Sequence, residues 1–318
     1  MKLVMFGTGP FAVPTFDALL ESTHQVLALV TRPIEDAGKR RKSAANPMRD
    51  LAIARDVAIH DPPNANAPEF VELLKSLAAD LFVVCDFGQI LSNDCLAVAR
   101  LGGINLHGSL LPKFRGAAPI NWAIYRGEKT TGITVIHMTS KLDGGPILAA
   151  AELPIAPHDT TADLEPRLSQ MGVQPVLDSL RQLAAWDGSS PLGRTQDPQL
   201  VSTARRLRKE DGLVRWTRTA KQIERQIRAF QPWPGVYSNW QRSNDVEPLR
   251  LIINRAEVVN TDQAVEPGRV HSVERNRLLV ETGNGLLSLL EVQPAGKKPM
   301  PIDAFLRGYP ITVGSYFA

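Results

Sequence analysis

Short apolar runs alternate with stretches of helical periodicity along the first half of the chain. The apolar, β-branched runs predict strands, which fall at residues 2–6, 25–30, 81–85, 103–106 and 133–138. Apolar positions at helical spacing predict the helices between them, at residues 11–22, 68–77 and 118–126. Strands that alternate with helices are typical of right-handed βαβ units. The pattern therefore predicts the α/β class, with a doubly wound, mostly parallel, Rossmann-like sheet.

The hydrophobic pattern changes in the second half of the chain. A helical region at residues 159–186 is followed by a turn-rich stretch at 187–193. Short β runs then recur between glycine-containing turns, at residues 249–254, 268–273, 277–281 and 286–292. Such spacing predicts a small β-barrel or a β-sandwich. We therefore expect a first domain at residues 1–187, a linker at 188–205 and a C-terminal OB-like domain at 206–318.

The composition is that of a globular protein. The chain has 318 residues, of which 43% are apolar and 22% are charged. No apolar run approaches the ~20 residues that a membrane helix needs, so we expect no membrane association. The two cysteines, Cys85 and Cys95, have no cluster of His or Cys beside them. This argues against a disulfide framework and a zinc site, and it favours a cytoplasmic protein without a bound metal.

The charge is unevenly distributed along the chain. Residues 1–200 carry 18 Lys and Arg against 21 Asp and Glu, whereas residues 201–318 carry 18 against 12. A basic C-terminal part joined to a neutral or acidic part is typical of a catalytic domain attached to a segment that meets a polyanion. The charge alone is equally compatible with a solvated basic face that has no partner.

A glycine-rich turn follows the first predicted strand. Residues 7–12 (GTGPFA) fit the loose dinucleotide pattern G-x-G-x-x-G/A between a strand and a helix. Pro10 argues against that use, because it removes a backbone donor from the loop that would hold a pyrophosphate. The second strand ends at Thr31 and Arg32, without the acidic residue that binds a ribose. An NADP-dependent oxidoreductase stays open as an alternative interpretation.

Polar side chains with catalytic chemistry follow two of the predicted strands. Asn105 and His107 are two residues apart at the end of the strand at 103–106, so both side chains lie on one face. Asp143 follows the strand at 133–138, on a loop that continues with Gly144 and Gly145. Because ligands bind outside the carboxyl ends of the strands in such sheets, we expect the three side chains to converge.

An amide, an imidazole and a carboxylate suit acyl transfer to a nucleophile that the substrate supplies. Asn105 can donate to a carbonyl oxygen as negative charge develops on it. His107 can donate to the same oxygen or move a proton, and Asp143 can orient the imidazole or hold a proton-accepting water. Ser109 lacks the G-x-S-x-G context of a nucleophile. A polar loop that only satisfies backbone groups is the alternative interpretation.

Together these motifs resemble the formyl-tetrahydrofolate transferase family. The resemblance rests on residues 105–112 (NLHGSLLP), 115–120 (RGAAPI) and 142–145 (LDGG). It implies that Asn105, His107 and Asp143 are the catalytic residues, that 10-formyl-tetrahydrofolate is the co-substrate, and that residues 1–187 form the catalytic domain. It also implies two folate-binding segments, one at the sheet edge after each of two strands. The first segment consists of Ser109, Leu110, Leu111 and Pro112. The second consists of Phe87, Gly88, Ile90 and Leu91, and by the resemblance it lines the pterin pocket largely with backbone groups.

Further stretches resemble those members of the family that act on methionyl initiator tRNA. Residues 207–235 and 293–300 are similar to the start and the end of their C-terminal domain. By this resemblance, Phe11 lines the methionine pocket and residues 206–318 bind tRNA. Basic groups would bind the phosphates without reading sequence. The candidate basic contacts are Lys39, Arg40, Arg41, Lys42, Arg205, Arg206, Lys297 and Lys298.

The chain departs from the family pattern at three places. The first turn reads GTGPF where the family usually has GTPDF. In the basic loop after the second strand, Lys39 holds the usual arginine position, and Glu35 and Asp36 add negative charge. The aspartate loop reads DGGP instead of DTGD.

We therefore expect a monomeric, cytoplasmic enzyme that formylates methionyl initiator tRNA for translation initiation. A formyl-tetrahydrofolate hydrolase, or another folate-dependent formyltransferase, is the first alternative, and the hydrolase would release formate without tRNA. An NADP oxidoreductase would bind nicotinamide at residues 7–12. A non-enzymatic RNA-binding module would bind tRNA without any dependence on folate.

Overall fold

Contacts between Cα atoms divide the chain into two units. The computed structural model describes residues 1–34, 46–242, 247–260 and 266–318. The first unit comprises Met1–Pro119, Lys129–Pro154 and Asp163–Arg205. The second unit comprises Ile120–Glu128, Ile155–Ala162 and Arg206–Ala318.

A seven-stranded sheet forms the centre of the first unit. Its strands are β1 (Lys2–Phe6), β2 (Gln25–Val30), β3 (Ile59–His60), β4 (Leu81–Val84), β5 (Gly103–His107), β6 (Thr130–His137) and β7 (Ile147–Pro154). Their order is β3-β2-β1-β4-β5-β6-β7. The pairs among β1 to β5 are parallel, whereas β6 and β7 are antiparallel to their neighbours. This arrangement confirms the predicted mostly parallel, Rossmann-like sheet.

Two central strands of this sheet, β1 and β4, are almost entirely apolar. All four residues of β4 are buried, and so are the last four of β1. Continuous apolar runs of this kind are expected of parallel strands that are covered on both faces. The pattern missed β7, because small and polar residues such as Ala149 and Glu152 give a weak strand signal.

Helices follow or precede most strands of the described chain. They are α1 (Val13–Leu20), α2 (Pro47–Ala54), α3 (Pro68–Leu77), α4 (Asn93–Leu96), α5 (Pro119–Arg126), α6 (Thr161–Met171), α7 (Val173–Ala184), α8 (Ala220–Ala229) and α9 (Ile302–Gly308). The helical region predicted at 159–186 is therefore two helices that meet at Gly172. A Cβ atom on Gly172 would lie 2.6 Å from Cδ2 of Leu106 in β5, so the absence of a side chain allows this close approach. No helix within the described ranges is both long and apolar enough to cross a membrane.

An antiparallel sheet forms the centre of the second unit. Its strands are β8 (Tyr237–Gln241), β9 (Leu249–Val259), β10 (Val270–Glu274), β11 (Arg277–Glu281), β12 (Leu286–Pro294), β13 (Met300–Pro301) and β14 (Tyr316–Phe317). Their order is β10-β11-β12-β9-β8-β14, with β13 paired to β12. A bridge between Arg269 and Tyr316 brings the two ends of this order together, so the sheet closes on itself. This confirms the predicted barrel.

Two short segments from the first half of the chain belong to the second unit. Asn121 Nδ2 donates to the carbonyl oxygen of Ala229 at 2.7 Å, and Thr161 Oγ1 donates to the same oxygen at 2.8 Å. The ring of Phe230 stacks on Tyr125 and packs edge-on against Trp122. These contacts hold residues 120–128 and 155–162 to the end of α8.

The segment predicted as a linker, at residues 188–205, packs with the first unit. The backbone of Arg115 donates to Ser202 at 2.9 Å and accepts from Ala204 at 2.7 Å. Such pairing is not readable from composition, because the segment shows only the polar, proline-containing pattern of a connection. The domain boundaries at residues 187 and 206 stay a prediction, since they concern which parts of the chain fold independently.

Candidate active site

The three side chains expected to converge do so at the carboxyl end of β5. Asn105 Nδ2 donates to Oδ1 of Asp143 at 3.3 Å, and His107 Nδ1 lies 3.7 Å from Oδ2 of the same carboxylate. The side chains of His107 and Asp143 are 6% and 10% exposed. β6 is antiparallel to β5, and its last residue, His137, pairs with Ile104 near the start of β5. The loop after β6 therefore runs back along β5 before Asp143 reaches residues 105 and 107.

Asp143 occupies a strained position on its loop. Its φ of 48° lies in the left-handed region, which is uncommon for a residue with a side chain. The backbone N–H of Gly116 donates to Oδ2 of Asp143 at 2.8 Å. At Gly145 a Cβ would overlap the carbonyl oxygen of His137, so this position of the loop requires glycine.

The imidazole of His107 is oriented by a backbone group. Its Nε2 lies 2.8 Å from the carbonyl oxygen of Phe114. Because a carbonyl can only accept, Nε2 carries a proton, and Nδ1 is the atom that faces Asp143. No sequence pattern predicts this contact, since it depends on the loop that returns Phe114 to the strand.

Ser109 has a structural role in the segment that the resemblance assigns to folate. Its hydroxyl donates to the carbonyl oxygen of Lys113 at 2.7 Å, and its own carbonyl accepts from Oγ1 of Thr134 at 2.7 Å. The same hydroxyl of Thr134 accepts from the N–H of Leu111 at 3.0 Å. Ser109 and Leu111 are buried, whereas Leu110 and Pro112 are partly exposed. These bonds fix the shape of residues 109–112.

The second folate segment presents its backbone and only one large side chain. Phe87 and Leu91 are buried in the core beside Phe6 and Val84, whereas Gly88 is exposed and Ile90 is 68% exposed. Gly88 and Ile90 are therefore the residues of this segment that are accessible to a ligand, whereas Phe87 and Leu91 belong to the core.

Two polar side chains missed by the sequence reasoning hold this segment. Gln89 Oε1 accepts from the N–H of Ala65 at 2.8 Å. Asn66 Nδ2 donates to the carbonyl oxygen of Ile90 at 2.8 Å, and Asn66 Oδ1 accepts from the N–H of Ser92 at 2.7 Å. The one sequence signal for these contacts is Asn66 itself, an amide side chain at the end of the turn-rich stretch 61–66 (DPPNAN).

A further carboxylate lies beside the glycine turn. Asp86 comes two residues after Val84, the last residue of β4. The surrounding protein desolvates this carboxyl, although the residue as a whole is exposed to solvent. This desolvation and the nearby Glu165 raise the pKa of Asp86 to about 6, while Arg32 opposes the shift.

Asp86 also bears on the dinucleotide interpretation of the glycine turn. A Cβ on Gly9 would overlap the carboxylate of Asp86, so this side chain fills the space beside the turn. A carboxylate at that point would repel a pyrophosphate. The geometry therefore does not favour a nicotinamide dinucleotide at residues 7–12.

The candidate contacts for methionyl-tRNA fall in different parts of the molecule. Phe11 is 7% exposed, and its carbonyl accepts from Ser169 Oγ at 2.7 Å. Arg205 is exposed at the end of the first unit, and Arg206, Lys297 and Lys298 are exposed in the second unit. The remaining four candidates lie outside the described residues; they are Lys39, Arg40, Arg41 and Lys42.

Comparison with known families matches both units of the chain. Residues 1–180 match the formyl transferase family, and residues 206–310 match the C-terminal domain of formyl transferase. The protein named methionyl-tRNA formyltransferase from Rhodopirellula baltica is 42% identical over 323 residues, which cover 99% of this chain and 96% of the relative. This chain belongs to the methionyl-tRNA formyltransferase family.

Other relatives agree with this membership. The methionyl-tRNA formyltransferase of Geobacter sulfurreducens is 38% identical over 315 residues, covering 99% of this chain and 96% of that protein. The family has a formyl-tetrahydrofolate co-substrate, and among the described residues no group of three His, Cys, Asp or Glu side chains is placed to hold a metal ion.

Solved structures share the fold at low sequence identity. The sugar 3N-formyl transferase WlaRD, solved with dTDP and 5-N-formyl-THF, is similar with a TM-score of 0.64 and 17% identity, over 94% of this chain and 99% of that one. HypX from Aquifex aeolicus, solved with tetrahydrofolic acid, has a TM-score of 0.61 and 16% identity over 98% of this chain. The chain spans about half of HypX, or 48% of its length.

Proposed function

We propose that this protein transfers the formyl group of 10-formyl-tetrahydrofolate to the α-amine of methionine esterified to initiator tRNA. The observation that carries the proposal is the convergence of Asn105, His107 and Asp143 at the carboxyl end of β5. Acyl transfer to an amine needs donors for a developing oxyanion and a group that accepts a proton. This site supplies both without a nucleophilic side chain of its own.

Asn105 and His107 stabilise the oxygen of the transferred formyl group. As the amine attacks the formyl carbon, negative charge develops on that oxygen, and Asn105 Nδ2 and His107 Nδ1 are the donors that face the site. The proton on Nε2 is already committed to Phe114. His107 therefore donates through Nδ1, as the imidazolium. Removal of one such donor typically costs about 100- to 1,000-fold in rate.

Asp143 balances the charge of that imidazolium and holds the water that accepts a proton. The amine loses a proton as its bond to the formyl carbon forms, and the folate nitrogen gains one as its own bond to that carbon breaks. A water held by Asp143 takes the proton from the amine, and His107 supplies one to the leaving nitrogen. The N–H of Gly116 keeps Oδ2 of Asp143 in place during these steps.

The two segments assigned to folate fit a flat, partly apolar ligand. Ile90 presents an exposed aliphatic side chain beside the exposed backbone of Gly88. The backbone of Ser109, Leu110, Leu111 and Pro112 runs from His107 along the same edge of the sheet. We assign the pterin ring to the segment at 87–91 and the formyl-bearing part of the folate to the segment at 109–112.

The tRNA is assigned to basic residues that contact phosphates. The exposed Arg205, Arg206, Lys297 and Lys298 and the basic stretch at 39–42 would bind without reading sequence, and Phe11 would meet the methionine side chain. Binding through phosphates weakens steeply as salt rises. We further propose that the protein acts as a monomer in the cytoplasm, which light scattering of the purified chain and fractionation of its cells would test.

A transfer assay tests the reaction. Purified protein is incubated with 10-formyl-tetrahydrofolate, with and without methionyl initiator tRNA. Formylmethionyl-tRNA formed only in the complete mixture supports the proposal. Formate released without tRNA would instead identify a hydrolase, and the absence of folate turnover in both mixtures would contradict the proposal.

A further inference from the structure

Gln196 is a buried amide that binds two backbone carbonyls of the loop between β6 and β7, which we call the aspartate loop. Its Nε2 donates to the carbonyl oxygen of Asp143 at 2.8 Å and to that of Gly145 at 2.8 Å. Only 6% of the residue is exposed. Both protons of the amide nitrogen are thus used, and both go to the backbone of the loop that carries the catalytic carboxylate.

The oxygen of the same amide is held by Arg115. Oε1 accepts from Nε of Arg115 at 3.1 Å and from Nη2 at 2.7 Å. A guanidinium can only donate, and the two carbonyls can only accept, so the amide has one possible orientation. Arg115 itself comes just before Gly116, whose N–H holds the Asp143 carboxylate.

The segment around Gln196 is fixed at two points by backbone pairing. Arg194 and Ile147 exchange both backbone hydrogen bonds, each at 2.8 Å, just beyond the aspartate loop. Farther along, Ser202 and Ala204 pair with the backbone of Arg115. Gln196 therefore reaches the loop from a backbone that is itself anchored on either side.

The aspartate loop needs such a support. Asp143 has a left-handed backbone, and the two residues that follow it are glycines, which leave the chain conformationally free. The carboxylate of Asp143 is bonded to Gly116 and Asn105. Gln196 instead holds the backbone of the same loop. The carboxylate lies 3.7 Å from Nδ1 of His107. A small displacement of the loop would therefore weaken its electrostatic stabilisation of a protonated imidazole.

We propose that Gln196 is a positioning residue for the transfer reaction, which acts by holding Asp143 in register with His107. This inference rests on the proposed function. It adds a residue from the segment at 188–205 to the candidates on β5 and on the loop after β6. Gln196 touches neither the catalytic side chains nor the reacting atoms. Its effect reaches Asp143 through the backbone of residues 143–145, and through Arg115, which precedes the Gly116 that binds the carboxylate.

The test uses two substitutions that separate the contacts of the amide. Q196M keeps a side chain of similar length and removes every hydrogen bond. Q196E keeps the acceptor for Arg115 and removes both donors to the loop. Q199M is the matched control, because Gln199 is exposed three residues along the same segment. For each full-length variant, kcat, the KM for each substrate and Tm are measured in parallel with the wild type.

We expect Q196M and Q196E to lower kcat by about 10- to 100-fold, the order of loss that a displacement of about 1 Å causes. Both KM values stay within about twofold of the wild type, and Q199M behaves as the wild type. Wild-type kcat in Q196E, which retains the Arg115 contact and so the folded segment, would overturn the proposal. So would a loss confined to KM.

A double substitution tests the route of the effect. If Gln196 acts through Asp143, then Q196E lowers kcat in the wild-type background but leaves the residual kcat of D143A unchanged, because coupled residues are not additive. An equal fold-loss in both backgrounds would show that Gln196 acts elsewhere. A wild-type protein that forms no formylmethionyl-tRNA would contradict the proposed function itself, so the two failures are distinguishable.

Discussion

Nδ1 of His107 lies 3.7 Å from a carboxylate oxygen of Asp143, while Nε2 of the same ring is bonded to the carbonyl oxygen of Phe114. The two nitrogens therefore have different tasks. The backbone fixes the ring through Nε2, and Nδ1 stays available to Asp143 and to the substrate. The separation from Asp143 exceeds a hydrogen bond, so the carboxylate acts on the ring mainly through its charge.

Removing any member of the catalytic trio should abolish most of the activity without unfolding the protein. We expect N105A, H107A and D143A each to lower kcat by about 100- to 1,000-fold, because each removes a donor or a charge that stabilises the transition state. The measurement is kcat in the transfer assay, with circular dichroism to check the fold. H158A, which changes an exposed histidine, is the control. Near-wild-type rates in any two of the three variants would refute the mechanism.

Gly116 should not tolerate a side chain. Its φ is 120°, and a Cβ would lie 2.6 Å from the carbonyl oxygen of Ala204. We expect G116A to destabilise the protein by about 1–3 kcal/mol, and to lower kcat because the N–H of residue 116 shifts away from Asp143. Thermal unfolding and the transfer assay check this expectation. Gly308 is the control, since nothing lies within 4 Å of a Cβ there; an equal effect of G308A would contradict the explanation.

Ser238 should contribute to the stability of the second unit. Its hydroxyl accepts from Nε1 of Trp216 at 2.9 Å and donates to the carbonyl oxygen of Ala318 at 2.9 Å, and both side chains are buried. We expect S238A to cost about 1–3 kcal/mol for a buried polar group left without its partner. The midpoint of urea unfolding measures the loss. S272A changes a half-buried serine on β10 and should have a smaller effect; a wild-type midpoint for S238A would refute the argument.

Asp86 should make stability depend on pH. Desolvation, with a contribution from Glu165, raises the pKa of Asp86 to about 6, whereas an unfolded aspartate titrates near its reference value of about 3.9. Between these two values the folded state binds more protons than the unfolded state, so stability falls as pH rises through the window.

Replacement of Asp86 by Asn removes that loss. We expect D86N to raise Tm at pH 8 by roughly 2–4 °C, corresponding to about 1 kcal/mol for a group that solvent partly screens. The increase should be smaller at pH 5. D94N, at an exposed carboxyl, is the control. A gain in Tm that is the same at both pH values would contradict the assignment.

Several elements could be predicted because their signals are local. Apolar runs in β1, β2, β4 and β5 have no amphipathic alternative, and the structure has strands there. Alternating short β runs and turns likewise predicted a barrel or a sandwich, and the structure has a barrel. The division of the helical region at Gly172 was missed, and so was the close approach of Leu106 from β5 to this glycine, which depends on the folded chain. The antiparallel direction of β6 was also missed, since a helix between two strands predicts a parallel crossover.

The sequence by itself predicted which residues are candidates for the chemistry. Asn105 and His107 share one face of β5, which the period of a strand makes predictable. The approach of Asp143 was predicted from a shared sheet edge that the antiparallel β6 does not provide, so it depends on the course of the loop after β6. Only the tertiary structure decided how those residues are held. Phe114 orients the imidazole, Gly116 holds the carboxylate, and Gln196 clamps the loop from a segment that reads as a linker. The physical reason is that strand periodicity is a property of neighbouring residues, whereas a hydrogen bond between residues 53 apart exists only after the chain has folded.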